Sequence, residues 1–442
     1  MPARALPIAP AEYARRRRQL MRIMGRDSIA VLPAAVPRTR SSDTHYAYRQ
    51  DSDFHYLTGF GEPGAVAVLI PGREQGEFVM FVRDRDPTRE TWDGRRAGPD
   101  GATRDFGADD SFPIDDLDDI LPGLLENRAR VFYTMGRQAE FDHRVVGWVN
   151  DLRNQARNGR HPPHEIVALE HALHDMRLYK SKAELSLMRE AARIGARAHI
   201  RAMRECRPGR FEYQLMAGLL HEFRMANADI SYQPIVGGGD NACILHYVEN
   251  NAQLKDGELV LIDAGCEYEL YASDITRSFP VNGRYSAAQR ALYDVVLEAN
   301  RAAIARVKPG NHWNQPHEAA VQVLTAGLVR LGLLKGKVPA LLKAEAYREF
   351  FMHRTGHWLG MDVHDVGDYK VGDEWRVLEP GMVLTIEPGL YIAPGRRGVP
   401  REFRGIGIRI EDDVAVVRGG NEVLTCDAPK DPDEIESLMQ AA

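Results

Sequence analysis

The run Leu259-Val260-Leu261-Ile262 has the length and apolar content of a buried strand, and it ends by delivering a carboxylate, Asp263, into the same strand. A lone carboxylate removed from water costs several kcal/mol, so the fold must give it a cation, a cage of hydrogen bonds or a proton. The pattern recurs: Glu387 follows Val383-Leu384-Thr385-Ile386, and Glu411 follows Ile408-Arg409-Ile410. Taken singly, each of these two reads as a strand end facing solvent. Asp274 lies eleven residues beyond Asp263, in SDITRSF. A turn near Tyr268-Glu269 would set the two aspartates opposite each other on paired strands, where like charges repel unless something positive lies between them. The plainer alternative is two aspartates bonded to nearby backbone or to Arg277.

The segment FMHRTGHWLGMDVHD adds His353, His357 and His364 within a dozen residues. His353 and His357 have the spacing of one helical face, but no Glu follows the first, so the zincin H-E-x-x-H pattern fails. Cys206, Cys243, Cys266 and Cys426 stand far apart, which argues against a thiolate metal site and a disulfide framework and fits reduced thiols in the cytoplasm. Four carboxylates and an imidazole make a hard, oxygen-rich donor set that suits two divalent ions sharing bridging ligands. Manganese or cobalt fits best, with zinc possible. Two such ions roughly 3.5 Å apart can hold a bridging hydroxide and polarise a carbonyl, which is metal-assisted hydrolysis.

Composition narrows the partners. With 57 basic against 63 acidic residues the net charge is −6, giving no electrostatic reason to expect nucleic acid. No apolar run reaches the roughly 18 residues of a membrane span, and no secretory signal is expected at the N-terminus. The Arg15–Arg18 run reads as a solvated helical face, and Gly237-Gly238-Gly239, with no phosphate-loop context, as a flexible loop.

Short apolar runs near Ser28, Ala65, Glu77 and Arg130 alternate with helical patterns over 115–126 and 141–152, which predicts an α/β unit. The polar stretch 154–164, with Pro162-Pro163, reads as its boundary. Beyond Lys180, long helical patterns interleave with strand-like pieces and predict an α+β unit with a curved sheet. One helix opens on the capping box Ser286-x-x-Gln289 and carries the stripe Leu292, Val295, Val296 and Ala299.

Asp263, Asp274, His357, Glu387 and Glu411, in that order and those contexts, resemble the five-ligand signature of the pita-bread metallopeptidases. Within them the chain is most similar to the Xaa-Pro aminopeptidases (aminopeptidase P). SSDTHYAYRQDSDFHYLTGF and VRDRDPTRETWDGRR resemble that family's first domain. The resemblance implies a creatinase-like α/β domain over 1–175, for oligomerisation and site capping, and a pita-bread catalytic domain with a curved antiparallel sheet over 176–442. It implies release of the N-terminal residue from peptides with proline second, by a hydroxide bridging two manganese ions, in a cytoplasmic homodimer or homotetramer. Asp263 would chelate one metal, Asp274 and Glu411 would bridge both, and His357 and Glu387 would complete the site, with Glu387 also taking a proton. His246 would contact substrate near the scissile bond, His364 would stabilise the gem-diolate, His353 would line the proline pocket and Arg409 would bind beyond the proline. Tyr391 and Trp92 are further candidates for the pocket wall. Two departures stand out: Arg354 where relatives usually have Gly, altering the pocket rim, and Leu270 at a turn position often Gly, loosening the Asp263–Asp274 hairpin. A prolidase restricted to Xaa-Pro dipeptides and a non-catalytic peptide-binding module are the alternatives. The second is expected to have lost ligands.

Overall fold

A computed structural model describes residues 8–441, and its contacts divide the chain into two units, Ile8–Arg177 and the part from Leu178 onward. The first unit holds a six-stranded mixed sheet in the order Asp110–Pro113, Phe78–Val82, Val66–Leu69, Ser28–Pro33, Arg130–Phe132, Glu165–Val167. The central strands are buried along their length, which explains their unbroken apolar runs. Helices Leu117–Leu125 and Ala139–Asn154 cover the sheet through Leu121, Leu125, Val145 and Trp148. The polar stretch 154–164 lies inside this unit, because the strand that follows it pairs with Arg130–Phe132.

The arginine run departs from its expected solvated face. Arg16 and Arg17 are buried on the helix Pro10–Met24, donating to the carbonyls of Tyr56 and Leu57. Their guanidinium groups lie over the rings of Tyr56 and Phe78, 4.1 and 3.9 Å from the centroids. A planar, weakly hydrated cation can be buried where ring faces and carbonyls receive it, so a charge run need not be a wet face.

The second unit is α+β, and its strand pairs among the described residues are antiparallel. Long helices Lys182–Glu205, Ala287–Ile304 and Asn314–Arg330 supply its helical layer. The Ser286–Gln289 capping box is formed, and Leu292, Val295, Val296 and Ala299 are fully buried. Gly237 and Gly238 belong to a strand, Ile235–Gly238, rather than a loop. A side chain at Gly238 would meet Leu254 at 2.5 Å, so glycine there permits close packing.

The strand Leu259–Asp263 pairs with Thr276–Pro280, but in a register that sets Thr276, not Asp274, opposite Asp263. Between them the chain makes a smaller hairpin, Cys266–Tyr268 with Tyr271–Ala272, closed by Glu269 and Leu270. Both turn residues have positive φ, 50° and 64°, as a type I′ turn requires. The hairpin therefore closes with Leu270 in place of glycine, at the cost of a left-handed backbone that disfavours a branched side chain by about 1–2 kcal/mol. Leu270→Gly is expected to raise stability by about 0.5–1 kcal/mol after the entropy of glycine is counted. A denaturant midpoint that falls instead would mean that contacts of the Leu270 side chain matter more than its backbone strain.

Candidate metal centre

Five loops and strand ends of the second unit converge on one cavity of about 510 Å³, lined by Asp263, Asp274, His357, Glu387 and Glu411 among others. Asp263 is the last residue of its strand, and Asp274 sits just before the partner strand begins. Glu411 bridges to Thr276 between the strands Ile406–Arg409 and Asp412–Val417. Glu387 follows Val383–Ile386. His353 and His357, whose spacing would fit one helical face, do not lie on a helix. That segment is irregular and is stitched to the neighbouring strand by Glu387 N–H to Thr355 O, Thr385 N–H to His357 O and Leu359 N–H to Val383 O. A side chain at Gly356 would come within 2.0 Å of the Thr385 carbonyl, so glycine lets the histidine segment lie against that strand.

Ligand atoms of Asp274, His357 and Glu411 lie within 4.8 Å of one another. The His357 Nδ1 lies 2.9 Å from the Trp358 carbonyl, which it meets as a donor, leaving Nε2 to face Asp274 at 3.4 Å. Thr276 Oγ1 donates to Glu411 at 2.6 Å, and the Tyr232 hydroxyl touches both Asp263 and, at 2.5 Å, Asp274. One hydroxyl proton cannot serve two carboxylates at once. Burial, then the surrounding acids, push Asp274 and Glu411 up, and Glu387 to about 7. For His357 burial works downward, but Asp274 and Glu387 lift it to about 9. These donors crowd negative charge into a space that calls for positive charge, so they fit divalent cations.

The remaining histidines line the same cavity: His246 and His364 exposed at its mouth, His353 partly buried. The His364 ring stands edge-on to His357, 4.3 Å between centroids. Asp365, its neighbour, forms an ion pair with Lys180 at 2.9 Å, each side chain 1% exposed, which anchors this end of the segment. His353 is held down to about 3, first by burial and then by Arg409, so it is neutral and makes no ion pair with Glu387 3.5 Å away. Its Nδ1–H donates to the Arg354 carbonyl and its Nε2 accepts from the Tyr391 hydroxyl.

Of the three remaining candidates, Tyr391 and Trp92 lie off the cavity lining and Arg409 lies on it. Tyr391 is buried behind the wall, accepting from Arg409 at 2.9 Å while bonding His353, so it braces the cavity rather than lining it. Arg409 borders the cavity, but its three nitrogens donate inward to Thr276, Tyr391 and Asp263. One of its three acceptors is a carboxylate, Asp263. Trp92 is 84% exposed on the helix Pro87–Asp93 and does not line the cavity.

Tyr232 and Thr276 were not singled out in the sequence, since nothing marks a tyrosine in a loop or a threonine in a strand. Asp412 and Asp413 carry the same signal as Glu411, being acids beside an apolar strand, yet they face elsewhere. Asp412 pairs with Arg277 and Lys430, and Asp413 accepts the backbone N–H of Asp274.

The sequence model of metallopeptidase family M24 matches residues 186–418, and that of the aminopeptidase P N-terminal domain matches 13–133. The Xaa-Pro aminopeptidase of Escherichia coli is 48% identical over 437 residues, spanning 98% of this chain and 99% of that one. The structure of Pseudomonas aeruginosa aminopeptidase PepP superposes with a TM-score of 0.98 at 61% identity, covering 98% of this chain and 99% of that one. Zinc-substituted E. coli aminopeptidase P in complex with product superposes at 0.96, with 47% identity and 99% of each chain covered. The first match covers more than half of the sequence, and the likeness runs from one end to the other: the chain belongs to metallopeptidase family M24.

Proposed function

We propose that the chain is a metal-dependent Xaa-Pro aminopeptidase, releasing the first residue of peptides whose second residue is proline. The observation that carries the reading is the convergence of Asp263, Asp274, His357, Glu387 and Glu411 on a single cavity that also presents three further imidazoles. Its support from relatives is the end-to-end likeness to proteins named for that activity. In this reading Asp263, Asp274, His357, Glu387 and Glu411 hold two divalent ions, with manganese the first choice on donor chemistry. When bound, the ions supply an acidified water and a polarised carbonyl.

The protein's own groups do the rest. Glu387, which follows its strand directly into the cavity, is placed to take a proton at one stage and return it to the leaving nitrogen at another. His364, at the mouth beside His357, stands where it can donate to a developing oxyanion. His353 is neutral and fixed through both ring nitrogens, so it presents an uncharged flat face to the proline ring. A prolyl nitrogen has no N–H to recognise, and selection therefore rests on shape. We further propose domains at 1–175 and 176–442, a cytoplasmic location, and assembly into dimers or tetramers in which Trp92, exposed here, meets another subunit. The prolidase alternative shares the ligand set, and the binding-module alternative is disfavoured because the donors are complete.

The test is a rate comparison on Ala-Pro, Ala-Pro-Ala and Ala-Ala-Ala, each with added manganese and with chelator. The expected result is cleavage of the proline tripeptide, little of the others, and loss of activity in chelator restored by metal. Cleavage of the dipeptide alone would establish the prolidase, and no cleavage by metal-loaded protein would favour the binding module.

A further inference from the structure

Arg409 borders the cavity and is paired there with the Asp263 carboxylate. Arg354 is the other cation on its lining. It follows His353 directly, its side chain is exposed, and its guanidinium is held in place by the Asn314 side-chain carbonyl and by the face of Trp375, 5.2 Å from the ring centroid. Lys370 lies over the same ring at 4.8 Å. Among the described residues no carboxylate forms an ion pair with either cation. Glu318 accepts from the Asn314 side-chain amide at 2.7 Å. An arginine pre-positioned on an aromatic face loses little freedom when it takes up an anion, and its planar fork matches a carboxylate.

We propose that Arg354, seated on Trp375 and Asn314, is a specificity-determining residue that receives a carboxylate just beyond the proline. This rests on the aminopeptidase reading above. The carboxylate has two sources: the free C-terminus of a tripeptide, or an acidic side chain in third position. Lys370, on the same ring, adds a second positive charge beside Arg354.

The experiment uses the full-length, manganese-loaded protein and three substrates: Ala-Pro-Ala with a free C-terminus, Ala-Pro-Ala-amide, and Ala-Pro-Glu-amide. The free acid is expected to have a KM about five- to tenfold below that of the neutral amide with similar kcat, as an oriented ion pair at a half-open site would give. In Arg354→Ala that ratio should fall toward one, Arg354→Lys should restore part of it, and high salt should shrink it in the unsubstituted protein. If Ala-Pro-Glu-amide shares the advantage, the subsite reads side chains as well as termini; if only the free acid does, it reads the C-terminus. Equal KM for all three substrates, or a preference that survives Arg354→Ala, overturns the proposal while leaving the aminopeptidase reading intact. Hydrolysis of none would overturn that reading, and this one with it.

Discussion

Asp274→Asn is expected to lower turnover on a proline tripeptide by a factor on the order of 10³ or more, and to do so without unfolding the protein. The size follows from the several kcal/mol that bound metal contributes to a hydrolytic transition state, at 1.36 kcal/mol per tenfold in rate. Asp274 faces His357 Nε2 at 3.4 Å, accepts from Tyr232 and lies with Glu411 in the tightest group of donors. Burial and the charge of Asp263 push its carboxyl up, so its ionised form is costly until a cation arrives. The amide removes that charge while keeping an oxygen for Tyr232. The metal-free variant should therefore melt at the same temperature as the metal-free parent, or slightly higher. Added manganese stabilises the parent in proportion to the logarithm of its concentration over Kd, about 2.7 kcal/mol at a hundredfold excess. The variant should lose most of that gain. Full metal-induced stabilisation with normal turnover would remove Asp274 from the proposed site. Asp263→Asn is a less clean test, because it also strips Arg409 of its carboxylate partner.

The strands and the acids at their ends were legible because each is a local contradiction, an ionisable group in an apolar run, that physical chemistry must resolve somewhere. Asp263, Glu387 and Glu411 stood out in this way, and all three reach one cavity. Asp274 was legible only by its distance from Asp263, and the register that suggested it was displaced, since the chain inserts a second hairpin before rejoining the strand. The same contradiction also marks Asp412 and Asp413, which serve the framework. A sequence shows that an acid needs a partner without showing which partner it finds. His353 and His357 have helical spacing, yet the segment is irregular because its backbone finds partners on the strand Val383–Ile386 and Glu387. Tyr232, Thr276 and the inward turn of Arg409 depend on contacts between segments far apart in the chain, and no local pattern encodes them.

Arg277→Met is expected to destabilise the second unit by about 3–5 kcal/mol, the loss typical of breaking a buried ion pair by removing one partner. Arg277 and Asp412 are both fully buried and meet at 2.8 Å. The guanidinium also donates to the carbonyls of Thr276, Glu411, Ala428 and Pro429, so methionine would leave these without their donor as well. Burial alone would raise the Asp412 carboxyl, but Arg277 and Lys430 hold it well below the usual range. A depressed carboxyl contributes stability that is present above its unfolded value and is lost as pH falls through the folded one. The variant should therefore show a weaker loss of stability on acidification, because Lys430 alone holds Asp412 down less firmly. At roughly 2–4 °C per kcal/mol for a unit somewhat smaller than this one, the melting temperature should fall by about 10 °C. The same substitution reaches the cavity, since Arg277 fastens the Glu411 carbonyl beside Thr276 and so fixes the backbone that aims the Glu411 carboxylate. Groups that orient metal ligands typically contribute ten- to a hundredfold in metal affinity, so half-maximal activity should require about that much more manganese. A lowered melting temperature with unchanged metal dependence would assign Arg277 to the framework alone, and an unchanged melting temperature would refute the stabilising role read from its five hydrogen bonds.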